Sequence, residues 1–191
     1  MRVITFDIET DGHMTGGQFD FNNQELTIAC IHDSETGEYS SFLKDELHKL
    51  WPILERADSL VGYNSDHFDI PILNKYYSGD LTKIKSVDLL KEVRAVLGRR
   101  LKMDNLAEAT LGKNKSADGM QAVRWWKEGK MDLVRDYCID DVKITRQLYD
   151  YAKKHKSLKY TDFDGKREVK LDPSNWEVFE EAPAITHTLP F

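Results

Sequence analysis

Cysteine is almost missing from this chain of 191 residues: Cys30 and Cys138 are the only two. Neither sits in a paired-ligand spacing, so the sequence offers no disulfide framework and no zinc site, and buried, inert thiols are the expectation. Long apolar runs are missing too. No stretch approaches the ~18 apolar residues of a membrane-crossing helix. The N-terminus lacks the basic-then-apolar segment of a secretory signal. These absences predict a reduced, cytoplasmic protein without a membrane partner. There is no internal repeat and no low-complexity linker. Positive charge is not in excess either. The formal net charge is −6, which argues against a protein that binds nucleic acid by coating phosphates alone.

What remains is an ordinary globular composition, with 40% hydrophobic and 10% aromatic residues, long enough for one domain with a real core and a small appendage. The charge is uneven. Lys83, Lys85, Lys91, Arg94, Arg99, Arg100 and Lys102 face only Asp88 and Glu92 in the same stretch. This locally basic segment reads equally as a nucleic-acid contact or as a solvated helix face and loop.

The first stretch is the most informative. Val3 to Phe6 form a β-branched and aromatic run that predicts a central strand. Asp7 and Glu9 follow. Alternation along a strand sends both carboxylates to one face and Phe6 and Ile8 to the other. Two adjacent carboxylates repel, and a divalent cation between them would make the arrangement favourable. A strand that merely ends in a polar turn at Asp11-Gly12 is the competing reading.

The rest of the pattern predicts alternating strands and helices. Residues 13–23 read as a loop bordering the acidic pair. Residues 25–33 and 38–43 read as strands joined by a turn at 34–37, making an antiparallel meander with the first strand. Residues 45–57 read as a helix that Pro52 should kink or split. Residues 59–64 read as a buried strand, 68–77 as a helix with Pro71 in its first turn, and 83–87 as a brief strand. Helices are expected over 88–97 before Gly98, over 105–111 with Asp104 as cap and Gly112 as stop, and over 117–128 before Gly129. The longest helical pattern runs from 131 to about 155. There Tyr137 and Asp141, four apart, share a helix face. Residues 157–171 predict a hairpin with a type I′ turn at Asp164-Gly165. The tail from Pro173, with Trp176 and Phe179, is expected to be partly docked or disordered. Trp125 and Trp126 are adjacent, about 100° apart on a helix, so at most one is fully core and the other is a candidate base-stacking platform.

Three segments together carry a family resemblance. Phe6-Asp7-Ile8-Glu9-Thr10, then Gly62-Tyr63-Asn64-Ser65-Asp66-His67-Phe68-Asp69, then Tyr137-Cys138-Ile139-Asp140-Asp141 resemble, in order and separation, the three motifs of DEDD 3′–5′ exonucleases. The middle motif is similar to the proofreading domain of family-B DNA polymerases. Tyr137 four residues before Asp141 places the resemblance with the tyrosine subclass, DEDDy. It covers residues 1–156, with 157–191 as a hairpin and tail packed on the same domain. It implies an α/β fold of the ribonuclease H-like type, a mixed sheet of an antiparallel meander plus parallel strands flanked by helices.

The resemblance also implies a chemistry. Asp7, Glu9, Asp69 and Asp141 would hold two divalent cations, Mg²⁺ or Mn²⁺, with Asp7 bridging and Asp69 on the second ion directly or through water. Tyr137 would orient the attacking water; an unperturbed phenol, with a pKa near ~10, is too weakly acidic to be a full base. Ile8, Thr10, Asn64 and Phe68 would lie against the terminal nucleotide, although core packing is an equal reading for Phe68. The expected activity is removal of nucleoside 5′-monophosphates from single-stranded 3′ ends, DNA favoured over RNA, by a stand-alone enzyme whose polymerase or repair partner, if any, is another chain. An exoribonuclease of the same fold and a non-catalytic nucleic-acid-binding scaffold are the alternatives.

Overall fold

A computed structural model of the chain describes residues 1–113 and 119–178. Five strands form the main sheet: β1 (Val3–Thr10), β4 (Leu26–Asp33), β5 (Tyr39–Leu43), β6 (Ser59–Gly62) and β7 (Lys85–Asp88), in the order β5-β4-β1-β6-β7. The chain runs antiparallel through β1, β4 and β5 and returns parallel to β1 in β6 and β7. This mixed sheet with helices on both faces is the ribonuclease H-like architecture expected from the sequence.

β1 is central and its alternation sets the two layers. Ile4, Phe6 and Ile8 point to one face, where they pack with Leu50 and Leu54 of α1 (Leu47–Leu54) and with Ile70, Ile72 and Leu73 around α2 (Asp69–Leu73). The other face is covered by α6 (Met131–His155), whose Val134, Cys138 and Val142 pack on Ile28 and Cys30 of β4. Farther along, α3 (Leu89–Leu97), α4 (Met103–Leu111) and α6 bury Val3, Val61 and Val87 of the parallel strands. Each fully buried aliphatic side chain contributes about 1.5–3 kcal/mol, so the two-sided burial of β1 fixes its register. A slip by one residue would put Asp7 and Glu9 into the aliphatic layer.

Several elements differ from their sequence reading. The 13–23 loop contains a small hairpin, β2 (Met14–Thr15) and β3 (Gln18–Phe19), closed by Gly16 and Gly17 with φ of 60° and 81°. That pair of positive φ values is what a type I′ loop requires. Pro52 does not split α1. The break comes earlier, as a 3₁₀ turn at Lys44–Glu46. The carbonyl that Pro52 leaves without its helical partner is that of His48, which lies on the exposed side of the helix, open to solvent. The helix after Phe68 is shorter than expected. Lys75 and Tyr76 already donate three residues back, to Ile72 and Leu73, tightening the chain out of the α-helix.

Asp104 is not the cap of α4. Lys102 holds that place and Asp104 lies in the first turn, because buried Met103 is drawn into the core, where the Thr145 hydroxyl contacts its sulfur at 3.2 Å. α5 (Gly119–Lys127) occupies most of the expected 117–128 helix. Its first two expected residues, and the tail from Phe179 on, lie outside the described residues.

The C-terminal hairpin pairs β8 (Ser157–Asp162) with β9 (Gly165–Lys170). Its loop is Phe163-Asp164, one residue earlier than expected. Neither loop residue has positive φ, so the turn is not type I′; the positive φ of 121° falls on Gly165. Leu158, Tyr160, Val169, Leu171 and Trp176 join the core of α3, α4 and α6. Two α4 side chains also pair with the backbone of β8. Asn105 and Thr161 exchange two hydrogen bonds at 2.9 and 2.8 Å, and Thr110 and Lys159 exchange two at 2.9 Å. The side chains thereby satisfy a strand edge that would otherwise stay open. Among the described residues no helix is long and apolar enough to cross a membrane.

Candidate active site

Asp7 and Glu9 reach the same side of β1, as alternation requires, and α6 crosses that side with Tyr137 and Asp141 on its inner face. One carboxylate oxygen from each of Asp7, Glu9 and Asp141 lies within 4.8 Å of the other two. A divalent cation with oxygen ligands at roughly 2.0–2.6 Å spans about 4–5 Å between opposed ligands, so this donor set fits one ion. The oxygen-only, acidic character of the set suits a hard cation. Asp141 is buried and Asp7 keeps partial exposure, which leaves one side of the cluster accessible.

Directly beneath the cluster, the Cys138 thiol donates to the Asp7 carbonyl at 3.5 Å and lies 3.8 Å from Asp7 Oδ2. Burial pushes this thiol well up from its ordinary value, and the Cys30 thiol and the charges of Asp7 and Glu9 push it the same way. This favours the protonated thiol, and Cys138 is buried, as expected.

Asp69 is placed differently. It begins α2, is only 4% exposed, and accepts a hydrogen bond from Ile8 N at 3.1 Å. It is thus tied to β1 between the two acids without belonging to the three-carboxylate group. Burial pushes its carboxyl up to about 7, with the charges of Asp88 and Asp141 adding to the rise and the N–H groups of Ile8 and of Asp69 itself opposing it. A cation nearby would draw it down and ionise it.

A cavity of about 460 Å³ opens in front of the cluster, lined by Asp7, Tyr137 and Asp141 on one side and by Asn64, Arg100 and Lys102 on the other. Tyr137 is buried, with the Trp125 ring edge-on at 6.4 Å. Asn64 has φ of 65°; its backbone N–H donates to Asp88 at 2.8 Å and its side-chain oxygen accepts from Arg100 at 2.7 Å. The remaining candidates do not reach this cavity. The Ile8 side chain lies in the core on the opposite face. Thr10 is buried and donates to Gln24 at 2.9 Å. Phe68 joins Phe19 and Phe21, with ring centroids 6.1 and 5.8 Å away.

Two contributors were not picked out from the sequence. Asp88 accepts from the N–H groups of Asn64, Asp66, Leu90 and Lys91. It caps α3 and fixes the Asn64 turn at once. Its only sequence signal was an Asp before a helical pattern. Arg100 was one cation among seven in the basic segment. In the fold that segment divides: Arg99 pairs with Asp162 at 2.8 Å, Lys91 pairs with Asp66 at 2.7 Å, and only Arg100 and Lys102 face the acidic cavity.

A sequence model of the RNase H superfamily matches residues 4–153. No curated protein matches the chain. Among solved structures, the family B DNA polymerase from the hyperthermophilic archaeon Pyrobaculum calidifontis is similar, with a TM-score of 0.62 at 18% identity. The likeness covers 80% of this chain but 24% of the polymerase chain, so it is one of fold, over less than a quarter of that protein. Family B is also the polymerase class whose proofreading domain the middle motif resembles.

Proposed function

The chain belongs to the RNase H superfamily, and from that premise we propose that it is a metal-dependent 3′–5′ exonuclease of the DEDDy type, acting on single-stranded DNA ends. The observation that carries the reading is the convergence of Asp7 and Glu9 with Asp141, from distant parts of the sequence, into one group within 4.8 Å, with Tyr137 facing the same cavity.

The residues divide the work. Asp7, Glu9 and Asp141 would hold one cation, and Asp69, beside β1, would serve a second. Divalent ions there would supply a nucleophilic water of lowered pKa and neutralise charge on the phosphate and leaving oxygen. The Tyr137 hydroxyl, on the same cavity, would orient the attacking water by hydrogen bond. Asn64, set by Asp88 and Arg100, lies across the cavity where the terminal nucleotide would rest. Arg100 and Lys102 supply the positive charge that draws a phosphate toward an otherwise acidic site. Glu9 accepts from the terminal 3′-hydroxyl, which restricts attack to a free 3′ end.

A 5′-labelled single-stranded DNA oligomer and its RNA counterpart, each with Mn²⁺ or with EDTA, test this directly. The expected result is a Mn²⁺-dependent ladder shortening from the 3′ end, faster on DNA and lost by at least about a thousandfold in Asp7→Ala, since two-ion positioning supplies several kcal/mol. A ladder on RNA alone moves the reading to the exoribonuclease. Binding without cleavage of either strand moves it to the scaffold.

A further inference from the structure

We infer that an aromatic cleft at the end of the β4–β5 edge, apart from the acidic cavity, is a second nucleic-acid subsite that takes an unstacked nucleobase from the strand leading to the active site. This inference rests on the proposed nucleic-acid substrate. The cleft has a volume of about 570 Å³, within the range of small-ligand sites. It is lined by the aromatic residues Trp51, Tyr76 and Trp126, together with Leu43, Leu47 and Thr27.

Four observations favour a base. The walls come from different elements: Trp51 from α1, Tyr76 from the chain after α2, and Trp126 from α5. Three π surfaces around one opening suit a flat ring of any sequence. Second, the tryptophan pair has divided its roles. Trp125 sits edge-on to Tyr137 at 6.4 Å, whereas Trp126 lines the cleft. Third, the lining between the aromatic residues is apolar: Leu43 and Leu47 lie there, and the Thr27 hydroxyl oxygen is closed to the surface. An apolar wall suits the face of a base and offers a phosphate no partner.

The fourth observation is distance. Glu9 is in register with Ile28 of β4, and Ile28 with Leu43 of β5. Adjacent strands lie about 4.8 Å apart, so the Leu43 backbone stands about two strand spacings, or roughly 10 Å, from that of Glu9. A strand whose 3′ end sits at the acidic cluster reaches the cleft within a few nucleotides. The rim carries Lys44, paired with Glu25 and 5.2 Å above the Tyr76 ring, along with Asp45 and His48. Glu25 and Asp45 outweigh Lys44, so the rim carries no net positive charge, which fits a neutral base better than a phosphate.

Titration calorimetry with a dinucleotide and a twelve-residue oligothymidylate, both carrying non-hydrolysable 3′-terminal linkages and both in Mn²⁺, tests the inference. The dinucleotide fills only the acidic cavity. Trp126→Leu should weaken the long ligand about tenfold, within the range for one base on one aromatic ring. It should leave the dinucleotide unchanged, while Trp126→Phe keeps most of the affinity. If Trp126→Leu fails to fold by its melting curve, Trp51→Leu carries the same expectation. Equal affinity of a folded variant and the wild type for the long ligand overturns the subsite, including the case in which the cleft holds a protein side chain instead. So does equal weakening of both ligands, or no binding by the wild type. The length-dependent loss in a wild type that cleaves nothing would leave the cleft standing and remove the exonuclease. Cleavage without that loss would do the reverse.

Discussion

Asp33 shows how the alternation that aims Asp7 and Glu9 also builds a support at the far end of the same strands. It ends β4, is 6% exposed, and holds the Arg2 guanidinium at 2.6 Å. The Arg2 hydrogen bond keeps the Asp33 carboxyl below its ordinary value against the opposing effect of burial. A carboxyl whose folded pKa lies below its unfolded one stabilises the fold above the unfolded value, near ~3.9, and loses that contribution as the pH falls through the folded value. Asp33→Asn should therefore cost about 2 kcal/mol at pH 7, and the difference from wild type should shrink below about pH 4. Denaturant melts at pH 7 and pH 3 check this; an equal penalty at both contradicts the pairing. At this scale the sequence was partly legible. The common face of Asp7 and Glu9 followed from period-two alternation, and that of Tyr137 and Asp141 from i, i+4 spacing. The bond from Ile8 N–H to Asp69 was not legible, because it joins residues 61 positions apart in sequence and depends on where α2 lands against β1. The double role of Asp88 was hidden for the same reason: a capping signal names the helix it starts, not the loop that the same carboxylate also holds.

Among the elements, α5 is the one that borders both the site, through Trp125, and the aromatic cleft, through Trp126. It packs beside β1 through Gly12, just after the acidic pair. Gly12 has φ of +65°, and a Cβ there would lie 2.7 and 2.8 Å from the two Val123 methyls. Gly12→Ala should destabilise the chain by about 2 kcal/mol, from left-handed backbone strain and the overlap together. For a chain of this size that is roughly a 4–8 °C fall in melting temperature. In a double-mutant cycle with Val123→Ala the two costs should be less than additive; strict additivity would show that the methyls are not what Gly12 avoids. Long elements were read well from sequence, α6 at both ends, because many turns repeat the same apolar period. Short ones were not. β2 and β3 have two residues each, too few for alternation to register. The β8–β9 turn shifted by one because the glycine could serve either inside the loop or just after it.

The whole molecule is arranged so that carboxylates from β1 and α6, separated by most of the chain, meet on one face of the central strand. Sequence order of motifs indicated this convergence, while the accessible side, the inward turn of Arg100 and Lys102, and the separation of Trp126 from Trp125 needed the fold. Without a cation the three acids repel, so binding one should stabilise the native state specifically. The direct measurement is the melting temperature of wild type and Asp7→Ala with and without Mn²⁺. At a hundredfold excess over its dissociation constant, the ion should add about 2.7 kcal/mol to wild type, a rise of roughly 5–10 °C, and little to Asp7→Ala, which should melt above metal-free wild type because one repelling charge is gone. Identical melting of the two proteins, with and without Mn²⁺, would show that these carboxylates are not a metal centre.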